Sequence, residues 1–138
     1  MKAIVKLRDG VCFDATTESG HTITMDGAPE HGGLDRGSRP MELMLSGLGG
    51  CSAFDVVHIL RKARQKVEGC VVELEAERHN EPPRVFTKIH LHFKVSGQNL
   101  SKSKVERAVH LSAEKYCSAS IMLSKSVEIT HDVEILDS

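Results

Sequence analysis

The chain has 138 residues, one Tyr, four Phe and no Trp, so one domain spanning 1–138 with an aliphatic core is the expectation. Eighteen Lys and Arg against nineteen Asp and Glu leave a net charge of −1, which excludes the basic footprint of a nucleic-acid binder and gives no purchase on an anionic membrane. The opening MKAIVKLRDG lacks the apolar run of a signal peptide and no membrane span is read from the sequence, so a cytoplasmic protein is expected.

Ala3 to Leu7 and Val11 to Thr16 are β-rich runs joined by Arg8-Asp9-Gly10, and Asp-Gly is a hairpin turn signal. Thr22 to Met25 makes a third strand. The stretch from Asp26 to Arg39, dense in Gly, Pro and charge, reads as a connector or a mobile flap.

Arg39 to Lys66 reads as one long helix. Pro40 suits its first position and Ser38 is a plausible cap. Leu43, Met44, Leu48, Cys51, Phe54, Val57 and Leu60 recur at helical spacing, and basic residues close the last turns. Gly47, Gly49 and Gly50 each cost a helix up to about 1 kcal/mol relative to Ala, so a close approach to the backbone is expected there. Helix packing through Ser46, Gly50, Ala53 and Val57, with or without a substrate pocket at Cys51, accounts for it. Asp55, one turn beyond Cys51, shares its face, whereas His58 lies two turns on.

Cys70 to Glu77 alternates as a half-buried strand. Val85 to Val95 alternates again, with Val85, Thr87, Ile89, Leu91, Phe93 and Val95 inward and Phe86, Lys88, His90, His92 and Lys94 outward. Cross-strand Glu–Lys pairs follow, and His90-x-His92 reads as solvated surface in preference to a metal site. Ser103-Lys104-Val105-Glu106 has capping-box spacing before a second amphipathic helix carrying Val105, Ala108, Val109, Ser112 and Tyr116. Cys117 then precedes Ser118-Ala119-Ser120, a potential cap for a short third helix, and a thiol near a helix start can have its thiolate stabilised. Val127 to Ile135 alternates as a last strand.

The four cysteines, Cys12, Cys51, Cys70 and Cys117, lie 39, 19 and 47 residues apart with no CxxC pair, so buried thiols or redox chemistry are expected and no metal or cofactor. Laid in order, Arg8-Asp9-Gly10, Gly20-His21, Pro40-Met41-Glu42-Leu43 with Leu48-Gly49-Gly50-Cys51, and Tyr116-Cys117-Ser118 resemble the osmotically inducible protein C and organic hydroperoxide resistance family over essentially the whole chain. The most specific feature is the Pro-to-Cys spacing of eleven residues, with a second Cys 66 residues later.

The resemblance implies an OsmC-like α+β fold, with antiparallel sheets wrapped around long central helices in an interlocked homodimer. It implies reduction of small organic hydroperoxides by two cysteines, with a dithiol, lipoyl-type reductant. By matching motif, Cys51 is the peroxidatic thiol, Cys117 the resolving thiol and Arg8 the guanidinium that stabilises the thiolate. Met41 stands where the family has its catalytic Glu, with Glu42 one residue later as the available acid, and Ser118 replaces the Pro that commonly follows the second Cys. An OsmC-like binding module without peroxidase chemistry and another thiol-dependent activity using Asp55 or His58 are the alternatives.

Overall fold

The computed structural model describes residues 1–137, with the Asp137 side chain left aside. Six strands and three helices follow in the order β1 (Ala3–Asp9), β2 (Cys12–Thr17), β3 (Thr22–Met25), α1 (Pro40–Lys62), β4 (Lys66–Arg78), β5 (Phe86–Gln98), α2 (Lys102–Leu111), α3 (Ser118–Leu123) and β6 (Glu128–Asp137). The expected α+β class holds. The residues gather into two compact units, Met1–Met44 and Leu45 onward.

In the first unit β1, β2 and β3 form an antiparallel sheet in sequence order. The connector from Asp26 is organised around one carboxylate rather than loose. Asp26 is buried and accepts from the N–H groups of Gly27 (2.8 Å), Leu34 (3.2 Å) and Arg36 (3.1 Å) and from Arg36 Nε (3.2 Å). Arg36 also grips Asp9 through both terminal nitrogens. Gly33 and Gly37 serve close approach here, not mobility: a Cβ on Gly33 would sit 1.9 Å from the Gly27 carbonyl oxygen, and one on Gly37 2.3 Å from that of Thr24.

The α1 helix stops at Lys62, short of the expected Lys66. Arg64 takes φ 61° and its N–H bonds Arg61 O while Gln65 N–H bonds Leu60 O, a Schellman-type close. At the start, Glu42 Oε1 accepts from the Arg39 N–H at 2.8 Å, so Glu42 caps the end assigned to Ser38. The buried stripe is Leu48, Gly49, Ser52, Val56 and Leu60; Phe54 is 72% exposed, so the apolar residues of α1 divide between two faces. Only one glycine of the run is pressed upon from within the chain. A Cβ on Gly49 would meet Leu74 Cδ1 at 2.7 Å, whereas Gly47 and Gly50 have nothing within 4 Å. By length and composition α1 could span a membrane, contrary to the sequence reading, although its Leu48, Val56 and Leu60 are fully buried within the protein itself.

In the second unit β4 and β5 pair antiparallel, but β6 runs parallel to β5, so this sheet is mixed where an antiparallel one was expected. The reason is the connection: the segment from Lys102 to Leu123 is long and helical enough to carry the chain back to the same end of the sheet. β4 begins at Lys66, before the predicted Cys70, with Cys70, Val72, Leu74 and Ala76 half-buried as the alternation requires. A bulge between Glu77 and Arg78 resets β5: Phe86 is buried under the Arg78 guanidinium, and Val85 and Thr87 are exposed, the reverse of the predicted faces. Lys94 pairs with Glu73 as cross-strand logic expects. His90 Nε2 and His92 Nδ1 are not merely solvated; both bond Asp132 Oδ1, at 2.9 and 2.7 Å, because the parallel register sets His92 opposite Asp132.

The α2 cap is Ser101, two residues before the predicted Ser103; its side chain accepts from the Lys104 N–H. Val105, Ala108, Val109 and Ser112 are buried, but Tyr116 is 50% exposed. From Ser112 to Tyr116 the backbone winds as a π turn, and the Cys117 N–H reaches back five residues to Ser112 O at 2.8 Å. The added residue per turn rotates Tyr116 outward and Cys117 inward.

Candidate active site

Cys51 sits half-buried in the middle of α1, with Ser52 buried beside it and Asp55 one turn on. Cys117, fully buried, is itself the N-cap of α3, the position assigned to Ser118–Ser120 from sequence; its Sγ accepts from the Ser120 N–H at 3.3 Å. Sγ of Cys51, Sγ of Cys117 and a carboxylate oxygen of Asp55 all lie within 4.8 Å of one another. The two thiols picked out by motif are therefore brought together across 66 residues, and both are free.

Three serines hold this arrangement, and the sequence reading missed them as a set. Ser52 Oγ and Cys117 Sγ are 3.2 Å apart, Ser112 Oγ donates to Ser52 O at 3.1 Å, and Ser120 Oγ donates to Ala113 O at 3.4 Å. The available signal was Ser112 inside an otherwise apolar stripe: a buried hydroxyl needs a partner, and here the partner is the α1 backbone. Burial pushes the Cys117 thiol above its ordinary pKa. The hydrogen bonds from Ser52 and the Ser120 N–H pull it down, and the neighbouring Cys51 pushes it up again. Cys117 thus rests protonated, while Asp55 Oδ2 is buried with no hydrogen-bond partner among the described residues.

Between α1 and the start of β4 a cavity of about 430 Å³ is lined by Gly50, Ala53, Phe54, His58, Arg61 and Glu68, among others. Cys51 does not line it; its neighbour Gly50 does. His58 stacks on Phe54, with ring centroids 6.2 Å apart, and belongs to this wall.

Arg8 and Glu42 belong to the first unit, where each has a local partner. Arg8 donates to Asp14 through Nε (2.9 Å) and Nη2 (2.6 Å), and Thr24 Oγ1 donates to the same carboxylate at 2.8 Å. The bond from Arg8 holds the Asp14 carboxyl below the usual range. Asp14 was not read from sequence as the acid that orients Arg8; the β1–β2 register sets it two residues along from Arg8's own level, a diagonal pair.

A mixed sheet backed by helices, with two thiols set between a long helix and the cap of a short one, defines a thiol-bearing α+β protein. The chain belongs to the OsmC-like protein family, whose model matches residues 32–132. It is similar to protein YhfA of Escherichia coli K12, 52% identical over 136 residues, covering 99% of this chain and 98% of that one. A hypothetical protein from Aquifex aeolicus, solved as a crystal structure, is 31% identical, with a TM-score of 0.81 over 98% of this chain and 96% of that one. A Legionella pneumophila structure described as an organic hydroperoxide resistance protein superposes with a TM-score of 0.69 over 97% of each chain at 18% identity, a likeness of fold alone.

Proposed function

We propose that this protein is a thiol-dependent peroxidase that reduces organic hydroperoxides. The carrying observation is the approach of the Cys51 and Cys117 sulfurs to within 4.8 Å, so that a disulfide of about 2.05 Å needs only a local adjustment. In this reading the Cys51 thiolate attacks the terminal peroxide oxygen, the O–O bond breaks, and the alkoxide takes a proton from water and leaves as the alcohol. Cys51 is left as a sulfenic acid. The Cys117 sulfur attacks it, an S–S bond forms, and the hydroxide leaves as water with the Cys117 proton. A dithiol of lipoyl type returns both thiols by exchange.

Arg8, oriented by Asp14, is the guanidinium assigned to the thiolate, and Glu42 an auxiliary acid at the start of α1. A homodimer accounts for the exposure of Ile4, Val5 and Leu7 on β1, each more than half exposed. Its unfolding midpoint should rise with protein concentration.

Stoichiometric tert-butyl hydroperoxide should give a Cys51–Cys117 disulfide by peptide mapping, with Cys12 and Cys70 still reduced. Cys117→Ser should accumulate sulfenic acid at Cys51, and Asp14→Asn should lower turnover. The reading fails if all four thiols stay reduced or another pair is joined. A binding module would then be the better account, favoured by Met41 at the glutamate position and by the engagement of Glu42 Oε1 with the Arg39 N–H.

A further inference from the structure

The carboxylate beside the thiols has no part in the chemistry above. Its geometry has a second reading. Cys51 and Asp55 stand at i and i+4 on α1, so their side chains rise on one face, and Cys117 meets them from the start of α3. Asp55 Oδ2 is buried and unpartnered among the described residues, a costly state for a carboxylate unless something cationic or a donor completes it.

We propose that, in the reduced protein, Cys51, Cys117 and Asp55 form a three-ligand site for a thiophilic divalent cation of the zinc class. Two sulfurs bound to one tetrahedral zinc at about 2.3 Å stand about 3.8 Å apart, and a carboxylate oxygen stands slightly closer to each. The three ligand atoms, mutually within 4.8 Å, need only contract onto the ion. A fourth position stays open on the side of half-buried Cys51 for water or an exogenous ligand. The surroundings suit thiolates: the Ser120 N–H and the Ser52 hydroxyl both contact Cys117 Sγ, so outer-sphere donors are in place before the ion arrives. Binding exchanges the two thiol protons for the metal, M²⁺ + 2 RSH + RCOO⁻ giving the metal-bound dithiolate carboxylate plus 2 H⁺, so affinity rises with pH towards the thiol range. No electron is transferred. A metal on these sulfurs withholds both from peroxide, so zinc occupancy and disulfide formation exclude each other.

The site stands on the geometry of the three residues and does not depend on the peroxidase reading. Fully reduced protein, with a phosphine reductant in place of a competing thiol, is titrated with cadmium chloride and followed by the thiolate-to-cadmium charge-transfer absorption, then with zinc chloride in competition. One equivalent per chain should saturate the band, with two protons released per ion. Cys51→Ser and Cys117→Ser should each abolish it, and Asp55→Asn should weaken binding by at least about tenfold, a loss that removal of even an outer-sphere partner can cause. A Cys12→Ser/Cys70→Ser double variant should bind as the parent does. As a test independent of substitution, zinc should protect Cys51 and Cys117, but not Cys70, from iodoacetamide. The proposal is overturned by the absence of a band at stoichiometric cadmium, by a band that survives Cys51→Ser, or by unchanged affinity in Asp55→Asn. A protein that forms the Cys51–Cys117 disulfide with peroxide yet binds no cadmium would lose this site and keep its peroxidase reading.

Discussion

Two carboxylates, one in each compact unit, are built to opposite ends. Asp26 is wrapped by three backbone N–H groups and the Arg36 side chain, and every donor around it belongs to the loop it organises. Asp55 leaves one buried oxygen without a partner among the described residues and stands beside two thiols. A carboxylate whose bonds are complete has become part of the architecture, because removing it strands its donors; one with an unfilled oxygen holds free capacity for a proton or an ion. The contrast separates a fully bonded carboxylate from one with an unfilled oxygen, within a chain whose overall charge is close to balanced.

The comparison breaks most sharply at Asp26. Asp26→Asn should cost more stability than any substitution named below, read as the urea midpoint, because the guanidinium and the loop N–H groups lose their common anion. The pH dependence follows with a definite sign. Burial alone would raise the Asp26 pKa, but the N–H groups of Arg36 and Gly27, the Arg36 side chain and the Leu34 N–H outweigh it and hold it at about 2. The folded pKa is depressed, so the contribution is present above the unfolded value of about 3.9 and is lost as pH falls through about 2. Wild-type stability should therefore drop over that interval, and the Asn variant should show a shallower slope.

Glycine gives the next measure. Gly33→Ala drives a Cβ into the Gly27 carbonyl and should cost about 1–3 kcal/mol. Gly47→Ala, facing open space on α1, should stabilise by up to about 1 kcal/mol through helix propensity; a loss instead would place a partner copy against that face. The smallest effect sharpens the contrast from the other side. Asp55→Asn should not lower stability and should raise it by no more than about 0.5 kcal/mol, since no bond to Oδ2 is forfeited and an unpartnered carboxylate oxygen is removed. A fall as large as that of Asp26→Asn would make Asp55 structural.

The strands and the long helix were legible in the sequence because each has a local signature, period-two alternation in β4 and the Pro40 start of α1, whereas Cys51 and Cys117 were singled out by their resemblance to a family motif. The failures cluster where one residue of register decides the outcome. The bulge at Glu77/Arg78 exchanged Phe86 for Val85 and Thr87, and the π turn at Ser112–Tyr116 turned Tyr116 out and Cys117 in. Neither has a local pattern, since each is set by what the neighbouring element packs against.

By itself, then, the chain determined the kinds of element and their order, because backbone periodicity and capping act over a few residues. Tertiary structure decided the partnerships: Asp14 for Arg8, Glu42 for the Arg39 N–H, Ser112 for the Ser52 carbonyl, and Asp55 beside two sulfurs 66 residues apart in sequence. Such pairings depend on distances of a few ångströms between segments remote in the chain, and a hydrogen bond or a metal ligand is made or lost within that range.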